Sequence, residues 1–189
     1  MTKTEYPKTV PAKDTAFTLR LPVAKDAEAV HAFACALPAH DLLYLRRDIS
    51  KRPVVDAWLD SIEDGESIAL LAEQDGALVG MSAIMMDRKS WSPHVGEIRV
   101  LIGEAARGKG LGRMMIQESF LQALDLGLEK IVAQMTLDQG GARAVFEEMG
   151  FQPEALLKNH VRDRNGEDHD ILIMSCDVAS ASERMQAYR

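Results

Sequence analysis

Apolar and polar positions alternate with period two over residues 17–23, through Phe17, Leu19 and Leu21, as in a half-buried strand. Asp26 then stands where a helix cap belongs, and Ala27, Val30, Phe33 and Ala34 form one apolar stripe in a helix reaching residue 37. A second helical pattern covers residues 53–62, with Pro53 suited to the first turn. Residues 40–50 between these two read equally as helix or loop. Apolar runs at 67–73 and 77–86 flank Gln74-Asp75-Gly76 and predict a hairpin, and residues 95–102 predict a third strand of the same meander. Leu111, Met114, Met115, Leu121, Leu124 and Leu128 recur at helical spacing before the stop signal Gly127. A strand at 131–136, a short helix at 141–149 closed by Gly150, and a hairpin of 156–162 with 170–176 complete the pattern. The order predicts one α/β domain with a mixed sheet over residues 17–177, a disordered leader at 1–16 and a polar tail at 178–189.

Composition narrows the class without naming a function. The 189 residues suffice for one domain with a sizeable core, and 47% hydrophobic with 27% charged content is ordinary for a globular protein. No run approaches the roughly 18 apolar residues that span a membrane, and residues 1–16 lack the apolar core of a secretory signal. Cys35 and Cys176 have no metal-type spacing and read as reduced core residues, so the expected location is cytoplasmic. A net charge of −7 argues against general nucleic-acid binding and points weakly to a cationic partner.

Against that acidic background, residues 100–113 read Val-Leu-Ile-Gly-Glu-Ala-Ala-Arg-Gly-Lys-Gly-Leu-Gly-Arg. A strand enters a glycine-rich turn bearing Arg107, Lys109 and Arg113, and a helix follows. Helix N-termini present unpaired N–H groups and a positive dipole end, so the order predicts an anion site, specifically for phosphate or pyrophosphate. The glycines at 108, 110 and 112 miss the dinucleotide spacing by one position. Gly103 through Lys109 matches G-x-x-x-x-G-K, but Gly110 stands where a metal-binding hydroxyl is required. Asp138, after the strand at 131–136, is the acidic residue that such a nucleotide site would use.

Arg107, Gly110 and Gly112 also fit Arg-x-x-Gly-x-Gly, and downstream comes Ala142-Arg-Ala-Val-Phe146-Glu-Glu-Met-Gly150-Phe151. On these two segments the chain resembles the GCN5-related N-acetyltransferase (GNAT) superfamily, over residues 17–176. The resemblance implies a mostly antiparallel, centrally splayed sheet of about seven strands flanked by helices. It implies acetyl-CoA as co-substrate, with no metal. The pyrophosphate would be held by Arg107, Gly108, Lys109, Gly110, Leu111, Gly112 and Arg113. The pantetheine arm would pair with the backbone of Val100 and Ile102. The acceptor would be a primary amine on a small molecule or peptide, with no nucleic acid or membrane involved. A homodimer stays open, as does a longer acyl donor.

Acetyl transfer requires a neutral amine, donors for the tetrahedral oxyanion and a proton for the leaving thiolate. The expected oxyanion donor is a backbone N–H at Val100 or Leu101. Glu97 is the candidate base, against a bland reading as a strand residue paired with Arg99; His94 is a lesser candidate. The family's second signature often carries a tyrosine that protonates the thiolate, and Phe146 occupies that position here. Tyr44, His160 or water would have to replace it. Gln139 stands for a usual pantetheine-binding asparagine and keeps an amide. Direct attack in a ternary complex is the expected mechanism. A CoA-binding sensor with little turnover, and a phosphotransferase using the near-P-loop, are the alternatives. Residues 42–48 combine Tyr44, two arginines and an aspartate, suited to a substrate carboxylate or to an exposed turn. The charged segment 163–169 carries no metal-ligand spacing and reads as a solvated hairpin turn.

Overall fold

The computed structural model describes residues 5–12 and 15–181. Eight strands form one sheet in the order β1-β2-β3-β4-β5-β6-β8-β7. In chain order these are β1 (Lys8–Pro11), β2 (Ala16–Arg20), β3 (Ser67–Gln74), β4 (Ala77–Met86), β5 (Val95–Ile102), β6 (Lys130–Thr136), β7 (Gln152–Arg162) and β8 (Asp168–Asp177). All neighbours are antiparallel except β5 and β6. The helices are α1 (Ala27–Ala36), α2 (Arg52–Glu63), α3 (Leu111–Asp125) and α4 (Gly140–Glu148). The fold class is the one expected, with eight strands rather than about seven.

The additional strand lies inside the stretch expected to be a disordered leader. Lys8–Pro11 pairs with Ala16–Leu19, and Val10 is buried against Phe17, Leu19 and the start of α3. One apolar residue in a charged segment gave no period to read, and tertiary packing supplies the order. Residues 1–4 and 13–14 lie outside the described residues. At the other end, Val178 and Ala181 pack into the core, so the expected polar tail begins no earlier than residue 182, outside the described residues. Cys176 is buried as expected, whereas Cys35 is exposed beside His31.

Two apolar layers cover the sheet. On one face α3 and α4 contribute Ile116, Phe120, Ala123 and Phe146, which meet Ile98, Ile131, Met135, Phe151 and Met174. On the other, α1 and α2 contribute Val30, Phe33, Val55 and Leu59, which meet Leu71, Met81, Leu101 and Ile171. The β3–β4 turn has positive φ at Asp75 (52°) and Gly76 (78°), the pair of left-handed residues that matches strand twist in a tight hairpin. Among the described residues no helix is long and apolar enough to cross a membrane.

Asp26 precedes α1 but makes no side-chain cap. Its carboxylate accepts hydrogen bonds from both Arg20 Nη groups at 2.7 and 2.8 Å and from the Val23 N–H at 2.8 Å. Arg20 also reaches Glu73 at 2.6 Å, so one guanidinium ties β2, β3 and the entrance to α1. The Arg20 hydrogen bonds hold the Asp26 carboxyl below the usual carboxylate range. A depressed folded-state value contributes stability above the ordinary carboxylate pKa, lost as pH falls through the depressed one. Asp26→Asn is expected to cost about 2 kcal/mol in urea denaturation at pH 7. The gap to the wild type should narrow below pH 4, and a gap independent of pH would contradict this assignment.

Candidate active site

The β5–β6 ladder runs only from Val95↔Lys130 to Ile98↔Ala133. Beyond it the two strands part. Antiparallel pairing with β4 uses alternate residues of β5. The Gly103 N–H donates to the Val79 carbonyl at 2.9 Å, so the odd-numbered residues from 97 to 103 turn their backbone groups to β4. Val100 and Ile102 therefore aim N–H and C=O into the gap. Of the two expected oxyanion donors, only the Val100 N–H faces it, since parity commits that of Leu101 to β4.

The gap opens into a cleft of about 670 Å³. Val100, Leu101 and Ile102 line it from β5, and Gln134 and Met135 from β6. Arg107, Gly108, Gly110, Leu111, Gly112 and Arg113 line its mouth, and Gln139, Val145 and Phe146 one wall. The volume fits a cofactor-sized ligand.

At the mouth a single 3₁₀ turn, Glu104–Ala106, buries Ala106 and delivers Arg107. Residues 104–106 thus form a helical turn between the strand and the glycine-rich stretch, whereas a P-loop wraps a continuous loop around phosphates. Gly110 sits at φ +84° directly before α3, a left-handed conformation that costs glycine nothing. The first bond back into the helix runs from the Met114 N–H to the Gly110 carbonyl at 3.1 Å. The N–H groups of Leu111, Gly112 and Arg113 thus precede the helical ladder, as an anion site requires.

The three loop cations stand differently. Arg107 donates to Asp41 Oδ2 at 2.5 Å and, through Nε, to the Ile102 carbonyl at 3.2 Å. Arg113 donates to Glu148 of α4 at 2.5 Å. Lys109 is half-buried and forms no ion pair among the described residues.

The segment 40–50, which the sequence reads equally as helix or loop, opens with a 3₁₀ turn (Ala39–Leu42) that continues through Tyr44 across the cleft. His40 Nε2 lies 2.7 Å from Asp138 Oδ2 and 3.3 Å from Thr136 Oγ1, beyond the end of β6. The Thr136 hydroxyl, then His40, hold the Asp138 carboxyl below the usual range. Asp41 takes Arg107 on the opposite bank, and the Tyr44 hydroxyl donates to the Val100 carbonyl at 2.6 Å. Burial pushes the Tyr44 phenol far above its ordinary value, so the hydroxyl stays protonated at neutral pH. Sequence reasoning picked Tyr44 but missed His40 and Asp41. The signal was the cluster His40-Asp41 after Pro38, which no helical or strand period explains.

Other candidates are dispersed. Glu97 lies on the β5 face toward α1 and α2, outside the cleft, with its carboxylate 2.9 Å from Arg99 and 3.1 Å from Arg46. The pairing with Arg99 is the bland reading of Glu97 made visible. Phe146 is buried, edge-on to Phe151 with centroids 4.8 Å apart, and offers no proton. The Gln139 amide oxygen accepts from the Thr136 N–H at 3.3 Å. His94 and His160 are exposed and do not line the cleft. In the β7–β8 turn, Asp163, Glu167 and His169 do bring ligand atoms within 4.8 Å of one another, contrary to the expectation from spacing. Asp163 Oδ1 is occupied by the N–H groups of Asn165 and Glu167, so the grouping is accounted for by turn formation.

A splayed sheet with a glycine-turn anion site beside the gap defines the class of fold, and the comparisons name it. Residues 27–151 match the acetyltransferase (GNAT) family model, and the chain belongs to that family. It is 27% identical over 152 residues to mycothiol acetyltransferase of Rhodococcus jostii (strain RHA1), covering 78% of this chain and 49% of that protein. The chain thus spans about half the length of that relative. A GNAT-family acetyltransferase from Streptococcus pneumoniae superposes with TM-score 0.74 at 20% identity, covering 85% of this chain and 99% of the other. A phosphinothricin acetyltransferase from Sinorhizobium meliloti, solved in complex with AcCoA, gives 0.73 at 20% identity, with 85% and 88% covered.

The Arg107–Asp41 pair is half exposed on the arginine side and therefore weak. An anion reaching the loop must compete with the Asp41 carboxylate. Asp41→Asn is expected to tighten inorganic pyrophosphate binding about threefold to fivefold by calorimetry. Weaker binding would show instead that Asp41 positions Arg107 for the anion.

Proposed function

We propose that this protein transfers the acetyl group of acetyl-CoA to a primary amine by direct attack in a ternary complex. The observation that carries the reading is the coincidence of two features at one cleft. The β5 backbone groups of Val100 and Ile102, outside the strand ladders and with carbonyls held only by the Tyr44 and Arg107 side chains, suit an amide-rich pantetheine arm, which can pair with them as an added strand. Loop N–H groups at 111–113 with Arg107, Lys109 and Arg113 suit its pyrophosphate. Neither feature calls for a metal.

In this reading the thioester carbonyl lies against the Val100 N–H, which stabilises the oxyanion as the amine nitrogen bonds to the acetyl carbon. Glu97, on the opposite face of β5, takes the amine's proton directly or through one water. The carbon–sulfur bond breaks, and the Tyr44 hydroxyl protonates the departing thiolate in place of the absent tyrosine at Phe146. Tyr44 recovers its proton from solvent. Arg107 exchanges Asp41 for the pyrophosphate, and Tyr44 exchanges the Val100 carbonyl for sulfur. The setting is a cytoplasmic enzyme acting on a small molecule or peptide.

The Phe146 ring favours one second reading, a CoA-binding module with little turnover. The two separate cleanly. Under both, acetyl-CoA without metal raises the melting temperature by about 5–10 °C at 100 times its Kd, while ATP with Mg²⁺ does not. Under the enzyme reading alone, thiol is released when an amine panel is supplied. Stabilisation by ATP–Mg²⁺ and not by acetyl-CoA would sink both.

Gly110→Asp is expected to abolish acetyl-CoA stabilisation. Aspartate tolerates the left-handed conformation better than most residues, so the fold should persist while a carboxylate repels the pyrophosphate. Undiminished affinity in that variant would refute the loop assignment. Tyr44→Phe is expected to lower kcat about 10- to 100-fold with acetyl-CoA affinity within a factor of about three. An unchanged kcat would remove Tyr44 from the mechanism.

A further inference from the structure

On the β5 face away from the donor cleft, the odd-numbered residues of β4 and β5 floor a small hollow. Met81, Ala83, Met85, Arg99 and Leu101 line it from the sheet, and Leu45, Ile49 and Trp58 close it from the other side. Leu101 lines both this hollow and the donor cleft, so the two spaces meet across one strand. The hollow is almost wholly apolar, with Arg99 in its lining. Its volume of about 40 Å³ is roughly three waters' worth, the size of a branched side chain of a few carbons.

The charges at its edge are ordered. Arg99 spends Nε on Glu97 at 2.9 Å, and neither Nη group is hydrogen-bonded to any described residue. Its charge reaches the Tyr44 phenol, where it opposes the upward push of burial. Glu97 is only 12% exposed and accepts Arg46 from the solvent side at 3.1 Å. A carboxylate, a guanidinium with two unused donor groups and an apolar socket therefore lie side by side, next to the donor cleft.

We infer that the acceptor is a free α-amino acid with an apolar side chain. This rests on the transfer reading above. Arg99 Nη groups bind its carboxylate, Glu97 draws its ammonium, and the hollow takes its side chain. A planar guanidinium matches a carboxylate through paired hydrogen bonds, so it discriminates against acceptors that lack one. A polyamine has no group for Arg99, and a peptide N-terminus has an amide where the carboxylate belongs.

The test compares L-leucine, L-leucinamide, 3-methylbutylamine, spermidine and glycine as acceptors at saturating acetyl-CoA, following thiol release. L-leucine is expected to exceed leucinamide and 3-methylbutylamine at least 100-fold in kcat/KM, and to exceed glycine about tenfold. Arg99→Gln should raise KM for leucine about 30-fold while leaving KM for 3-methylbutylamine within about twofold. Acetyl-CoA thermal stabilisation of that variant reports that it folds. In parallel, calorimetry measures leucine and leucinamide binding to protein loaded with CoA. Leucine binding without any turnover would overturn the transfer reading and with it leucine's role as acceptor, and tighter leucine than leucinamide binding would then support the Arg99 carboxylate contact alone. Equal or better use of the amide, the amine or spermidine would overturn the inference, as would tighter leucinamide than leucine binding.

Discussion

Parallel pairing of β5 with β6 ends at Ile98 and Ala133, and the backbone beyond that point must find other partners. A buried strand edge left without them would cost about 1–3 kcal/mol per group. The chain meets this need with side chains rather than a strand. The Tyr44 hydroxyl takes the Val100 carbonyl and Arg107 Nε takes that of Ile102. Such bonds are exchangeable, where a strand ladder would close the cleft for good. The cleft, the loop at its mouth and the strap of residues 39–44 all depend on that early end to pairing.

The strap of residues 39–44 is itself ordered by long-range contacts. His40 on Asp138 and Asp41 on Arg107 fasten it to opposite banks, and Tyr44 anchors it deeper in the gap. In the proposed complex a carboxylate and a pyrophosphate compete for Arg107, which tunes affinity rather than abolishing it. The half-exposed geometry of the Arg107 pair keeps that competition mild.

Much of the sheet was legible because its periodicity is local. Residues 95–102 show the alternation that Val95–Ile102 adopts, and the glycine turn announces α3 with the Gly110 conformation that a helix start after a strand requires. The anion-type turn was legible for the same reason, since backbone donors at a helix N-terminus depend on chain order alone. Lys8–Pro11 was not legible, because its strand exists only by pairing with β2. Asp26 looked like a cap because its place before α1 is a capping place, yet the Arg20 guanidinium, brought back from β2, outcompetes the helix N–H groups. His40 and Asp41 escaped for a related reason. Their partners, Asp138 and Arg107, stand far along the chain and meet them only where the sheet splays. The place of Glu97 outside the cleft follows from strand parity, which a sequence supplies only once the faces of β5 are known.

That parity divides the labour of β5. Its even positions, Ile98, Val100 and Ile102, turn side chains to α3 and α4 and backbone groups to the gap. Its odd positions, Glu97, Arg99 and Leu101, turn side chains to α1 and α2 and backbone groups to β4. In the proposed reading, a donor gripped through backbone atoms needs no particular side chains along the strand, which leaves the odd side chains to select an acceptor. One strand can thus keep a constant grip on one substrate while the chemistry of its other face varies. In this chain that face carries a carboxylate and a guanidinium 2.9 Å apart beside an apolar hollow. An isolated charge there would draw only one end of a zwitterion. The pair offers each end a partner while keeping the face neutral, which limits the desolvation cost of seating a small charged molecule.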